Sequence, residues 1–155
     1  MLWPHSKIIP DRWKKWMIRS YKELMHFHTL EERFEYLKLN GKIGEETFGF
    51  ERYLNQNFYR SSEWKKFRDK IITRDLGCEL GMQGNEIEGY IYVHHINPIT
   101  LKDIETHSSK LLNSNNVICC SEAMHKAIHY GNNDILIKYT FVERKKNDTS
   151  PWKEV

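Results

Sequence analysis

The sequence predicts an α+β fold, with helices in its first half and a small core of short strands and a helix in its second. Three observations lead there. Apolar residues recur at helical spacing over 30–37 and 64–72, each run preceded by a Ser or Thr able to cap a helix. Beyond Gly77 the period shortens, and "GYIYVHH" and "VICC" are rich in β-branched and aromatic residues. The stretch "SEAMHKAIHYG" then returns to helical spacing, with Ser121 at its start and Gly131 at its end.

In order along the chain, Pro10 and Asp11 open a predicted helix over 11–27, with Trp13, Trp16, Met17, Leu24 and Phe27 on one side and Lys14, Lys15 and Arg19 between them. That basic side is either solvated or in contact with phosphate. In "TLEERFEYLKLNG", Thr29 is the N-cap and Glu32 its capping-box partner; Leu30, Phe34, Leu37 and Tyr36 form the buried stripe, and Asn40-Gly41 ends the helix. "KIGEETFGF" reads as a loop and "ERYLNQNFYR" as a short helix. "SSEWKKFRDKIITRD" is the clearest helix, capped by Ser61 or Ser62, with Trp64, Phe67, Ile71 and Ile72 on its apolar side. "CELGMQ" and "GYIYVHH" read as β-like, joined by "GNEIEG". A long loop follows, with one helical turn near 101–104. The tail from "DILIKY" starts strand-like and ends polar.

The chain's 155 residues suffice for one ordinary domain or a small domain with an extension. Its 13% aromatic content argues against disorder. No apolar run approaches the roughly 20 residues of a membrane span, and "MLWPHSKIIPDRWKKW" lacks a secretory core, so a cytoplasmic location is expected. Cys78, Cys119 and Cys120 are too few and too irregular for a disulfide framework, and no C-x-x-C occurs. The vicinal pair reads as two small residues pointing to opposite faces of a strand. Net charge is only +3, but residues 1–22 carry six basic side chains against Asp11 alone, whereas 61–131 carry eight basic and nine acidic ones. An anionic partner would therefore be held partly from the N-terminal end; Lys65, Lys66 and Arg68 are weaker candidates for the same role.

Four of the eight histidines lie in two short windows, "YVHHINPIT" and "NNVICCSEAMHKAIHYG". His125 and His129 are i and i+4, which puts both imidazoles on one side of a helix, about 6 Å apart at Cβ. By themselves they are either two surface histidines or two metal ligands. Adjacent residues of a strand point to opposite faces. Of His94 and His95, one can therefore face a cation while the other stays free to accept a proton from water, the division a hydrolytic site needs.

The order His-His, Asn, His-x-x-x-His resembles the ββα-metal (His-Me finger) core of HNH endonucleases. The likeness spans some 40 residues, from His94 to about Gly131. The stretch from Glu31 through "TFGFERYLNQNFYRSSEWKKFRD" also resembles the leader of small phage-encoded HNH proteins, less specifically. The resemblance implies two strands, 90–95 and 117–119, and a helix, 121–130, around one divalent ion. It implies His94, His125 and His129 as metal ligands and His95 as general base. Asn116 (Asn115 being the less favoured choice) would hold the base through backbone hydrogen bonds. The organisation implied is a helical extension over 1–60 for DNA contact or docking, a nuclease core over 61–131 supported by the helix 62–75, and a tail over 132–155. The C-x-x-C pairs of many family members are missing, so no second metal is expected, and the helix carrying Trp64, Phe67 and Ile71 becomes the candidate support for a unit too small to stand alone.

The activity implied is metal-dependent hydrolysis of DNA phosphodiesters, by nicking or double-strand cleavage, in phage DNA processing or packaging, with DNA and a terminase or other packaging protein as partners, and the host cytoplasm as setting. No membrane partner and no small-molecule cofactor are expected. Imidazole ligands favour zinc, nickel or cobalt in affinity, while magnesium, manganese or nickel remain open for turnover. The competing reading is a non-catalytic, metal-stabilised DNA-binding or packaging-accessory module. A homing-type enzyme would need a larger reading module than residues 1–60 offer.

Overall fold

A computed structural model describes residues 18–39 and 52–139, with side chains over 18–39 and 56–137. Helices α1 (Tyr21–Leu24), α2 (Leu30–Leu37), α3 (Arg52–Arg60) and α4 (Ser62–Arg74) precede strand β1 (Tyr92–His95). Helix α5 (Leu101–Glu105), strand β2 (Val117–Cys120) and helix α6 (Glu122–Tyr130) follow. Among the described residues the class is mixed: helices around one two-stranded antiparallel sheet. No helix among the described residues is long and apolar enough to cross a membrane.

Local chemistry sets most helix ends. Thr29 and Glu32 form the reciprocal capping box at the start of α2. Ser61 rather than Ser62 caps α4, accepting from the Trp64 amide, and Ser121 caps α6, accepting from the Met124 amide. Gly131, at φ +66°, takes the left-handed position that closes α6.

The two strands pair Tyr92 with Cys120, Val93 with Cys119, His94 with Ile118 and His95 with Val117. Alternation gives the sheet two different faces. Ile118 and Cys120 join Leu24, Leu30, Phe34, Leu37, Ile96, Met124 and Ile128 in the main core, so α1, α2 and α6 cover one face. Val117 and Cys119 pack with Ile71 of α4 on the other. The vicinal cysteines thus point to opposite sides, as the strand pattern predicts. The described part of the N-terminal region is built into the same core as the hairpin, and Leu39 N–H donates to Ile128 O at 2.8 Å, tying α2 to α6.

The sheet is braced by buried charge. Asp75 accepts from the Cys119 amide at 3.0 Å and from Arg74 at 2.8 Å, and Arg74 also donates to Val117 O. Glu79 accepts from the Ser121 amide at 2.8 Å, and Arg33 donates to Leu80 O at 2.7 Å. Apart from the Arg74–Asp75 pair at the end of α4, each bond joins one part of the fold to another, which suits a hairpin too short to fix its own position.

Three expectations are corrected. The predicted helix over 11–27 does not run through Ser20, which is extended (φ −145°, ψ 156°) and instead caps the short α1. Tertiary bonds win there: Ser20 N–H donates to the Tyr36 hydroxyl and Arg19 N–H to Asn97 Oδ1. The part of that helix over 11–17, with Lys14 and Lys15, and the Asn40-Gly41 stop lie outside the described residues. "CELGMQ" is not a strand but a 3-10 turn over Glu79–Gly81, with Leu80 at φ +49° and a single bridge between Cys78 and Glu86. The Glu79 carboxylate is committed to the Ser121 amide at the start of α6, and the Leu80 backbone carbonyl to Arg33. "DILIKY" folds into a 3-10 helix over Asn133–Tyr139, which packs Ile135 and Leu136 on the main core.

Candidate metal centre

The pleat sends His94 and His95 to opposite faces of β1. His94 points to the α6 side and is 3% exposed. Its ring centroid lies 5.3 Å from that of His125 and 5.1 Å from that of His129. One ring nitrogen from each of the three falls within 4.8 Å of the others, close enough for the trio to hold one metal ion. His125 and His129, one helical turn apart, bring their Nε2 atoms to 3.1 Å. Two ligands of a tetrahedral ion, each at roughly 2.0–2.1 Å, stand about 3.3 Å apart, so this spacing fits a shared ion.

The donor chemistry fits as well. His94 Nε2 and His129 Nδ1 are buried without a hydrogen-bond partner among the described residues. Buried polar atoms are seldom left so, and a cation at the trio would give His94 Nε2 its partner. Burial first, then the neighbouring imidazoles, hold His94 well below the ordinary histidine value; the same two causes bring His125 down to about 4, and burial lowers His129. All three are therefore neutral near pH 7, the form that coordinates metal.

His95 faces α4 and has a different setting. Its ring stacks on Trp64 at 5.4 Å and 27°, with Tyr59 6.4 Å away. Nε2 lies 3.0 Å from Leu111 O. A carbonyl only accepts, so Nε2 carries the proton and Nδ1 keeps its lone pair. Nδ1 has no hydrogen-bond partner among the described residues. Burial lowers the His95 pKa, partly opposed by the Leu111 bond.

Asn116 sits at the mouth of β2 and stitches the loop together. Its Nδ2 donates to Lys110 O at 3.2 Å, next to the carbonyl that orients His95. Its Oδ1 accepts from Asn97 N at 2.9 Å and Asn97 Nδ2 at 2.7 Å. Asn115, by contrast, turns its side chain away, accepting from the Lys22 amide at 3.0 Å, while its own amide donates to Asn113 Oδ1. Asn97 was not among the predicted site residues, yet it bridges Asn116 to Arg19, whose carbonyl accepts from Asn97 Nδ2 at 2.6 Å. The available signal was Asn97-Pro98, a turn-forming dipeptide two residues past the histidine pair.

The candidate phosphate contacts fare unequally. Arg19 is 6% exposed and spends its guanidinium on Tyr36 O and Leu37 O, so it is a brace in the core rather than part of a solvated basic side. Lys65 and Lys66 are exposed. Arg68 is half-buried, donates to Ile91 O at 2.6 Å and lies 4.8 Å from the Tyr90 ring centroid.

Comparison of the chain with protein-family models, with curated proteins and with solved structures found no match.

Proposed function

We propose that this protein is a metal-dependent endonuclease of the HNH type, with a ββα-metal core formed by β1, β2 and α6. The observation that carries the reading is the division between two adjacent histidines: His94 converges with His125 and His129, while His95 is fixed by Leu111 with Nδ1 unpartnered among the described residues. A structural metal site requires the first arrangement and has no use for the second.

A divalent ion bound by the trio would supply Lewis acidity toward a phosphate oxygen and the leaving oxygen. Zinc and nickel suit the imidazole donors best, while magnesium or manganese would depend more on phosphate and water oxygens. His95 Nδ1 would take the proton of the attacking water. The Leu111 carbonyl, accepting from Nε2, would favour the imidazolium that results, and Trp64 would hold the ring plane. Asn116 and Asn97 would keep the 97–116 loop, and with it Leu111, in register. Duplex DNA is the substrate favoured by the sequence resemblance, in phage DNA processing or packaging, with a terminase or another packaging protein as the partner that resemblance implies.

A second reading keeps the metal but not the chemistry: an accessory module that binds DNA or a packaging protein. The low exposure of His95, 6%, favours it, since a base must meet water. Nicking of supercoiled plasmid with Mg²⁺, Mn²⁺, Ni²⁺ or Zn²⁺ separates the two. The nuclease reading expects open circles from the natural protein and none from His95→Ala. Equal nicking by both removes His95 as base, and no nicking with any ion leaves the accessory module.

A further inference from the structure

We propose that Tyr90 is a stacking platform for an unpaired nucleobase, so that the site acts on DNA with a single-stranded or flipped-out nucleotide beside the scissile phosphate. The inference deepens the nuclease reading and rests on it for the identity of the ligand.

Tyr90 lies just before β1 and is 66% exposed, unusual for a large ring this close to a buried cluster. It is nevertheless not loose. Arg68 lies 4.8 Å from its ring centroid, while Arg68 Nη2 is pinned on Ile91 O. The rings of Tyr90 and Tyr92 form a T-shaped pair at 4.9 Å and 77°. Tyr92 in turn stacks on His125 at 5.4 Å and 17°. A continuous run of rings therefore leads from solvent to one of the three clustered imidazoles. The platform's orientation is fixed in advance, so a base that stacks there loses little additional side-chain entropy.

The chemistry of the surroundings selects the ligand. An apolar peptide would gain nothing from the guanidinium against Tyr90. A nucleotide offers a flat π-face for the ring and a phosphate for exposed Lys65, which lies one helical turn before Arg68 on α4; Arg68 itself is held by Ile91 O and the Asp69 carboxylate, 3.8 Å from its Nη1. Paired bases inside a duplex have no face free to stack, so the platform discriminates by strand state rather than by base identity.

The test is equilibrium binding of the full chain to a fluorescein-labelled 15-nucleotide oligothymidylate and to a duplex of equal length, read by anisotropy with EDTA present so that no hydrolysis occurs. Tyr90→Ala should weaken single-strand binding about 5- to 150-fold, while leaving duplex binding, dominated by phosphate contacts, within about twofold. Tyr90→Trp should restore it. Unchanged single-strand binding by Tyr90→Ala, or equal losses on both probes with an unaltered thermal midpoint, overturns the platform. So does failure of the natural protein to bind the oligothymidylate. Because no cleavage is read, each result stands apart from plasmid nicking, and a protein that nicks duplex yet ignores the single strand loses only this inference.

Discussion

His94 and His95 are the same residue type, adjacent in the chain and almost equally buried, yet their surroundings make them different reagents. His94 meets two other imidazoles and has a buried Nε2 with no hydrogen-bond partner among the described residues. His95 meets an indole and a carbonyl. Nothing intrinsic to histidine distinguishes them; the pleat assigns one to α6 and the other to α4. The lesson is that a two-residue strand segment can place one imidazole in a histidine cluster and the next against an indole and a carbonyl, provided each face of the sheet is covered by a different helix.

The sharpest way to break this comparison is to exchange the consequences of deletion. His95→Ala should lower nicking by at least the roughly 10²–10⁴-fold of a lost general base while leaving metal affinity intact by calorimetry. His125→Ala should do the reverse at the level of binding, weakening metal affinity by more than the roughly 10–100-fold typical of losing an outer-shell partner. If both variants lose metal alike, the two histidines are not divided in role.

Metal should report on the His94 side alone. Zinc at about 100 times its dissociation constant should stabilise the folded chain by about 2.7 kcal/mol, a rise in thermal midpoint of roughly 5–10 °C for a protein of this size. EDTA should abolish the rise, and it should persist in His95→Ala. On the other face, Trp64→Ala should cost roughly 3–5 kcal/mol as a buried aromatic, and a milder Trp64→Leu should reduce nicking without touching the zinc-dependent shift.

The smallest effect expected is one of pH. All four histidines titrate below their ordinary value in the folded chain. The unfolded chain therefore binds protons first as pH falls below about 6.5, and stability is lost progressively from there toward the lower folded values. Melting curves of the metal-free protein from pH 8 to 5 should show a midpoint flat above pH 7 and falling below about 6.5. The acid limb of nicking, set by His95, should likewise lie below the ordinary histidine value rather than at it. A midpoint that rises on acidification would contradict these directions.

Much of this was legible in the sequence because it obeys local rules. The Thr29–Glu32 box, the Ser61 and Ser121 caps and the Gly131 stop are each written within four residues, and all form. The alternation that separates His94 from His95 and Cys119 from Cys120 is equally local. What could not be read was long-range. Arg19 looks like a surface cation until its partners, Tyr36 and Leu37, are known to pass within 3.3 Å. "CELGMQ" has the composition of a strand, but Glu79 is drawn to the start of α6, 42 residues away. Asn97 carries no histidine-like chemistry and gains its place only from meeting Asn116 and Arg19.

The core that Phe34, Leu37, Ile118 and Ile128 share has a practical outcome for anyone seeking a minimal folded unit around the histidine cluster. A peptide spanning only 61–131 would leave the apolar faces of β2 and α6 bare where α2 covers them, inviting self-association. Supplying residues 18–39 as a separate peptide should then rescue it, in the manner of a split protein whose halves find each other through their common interior.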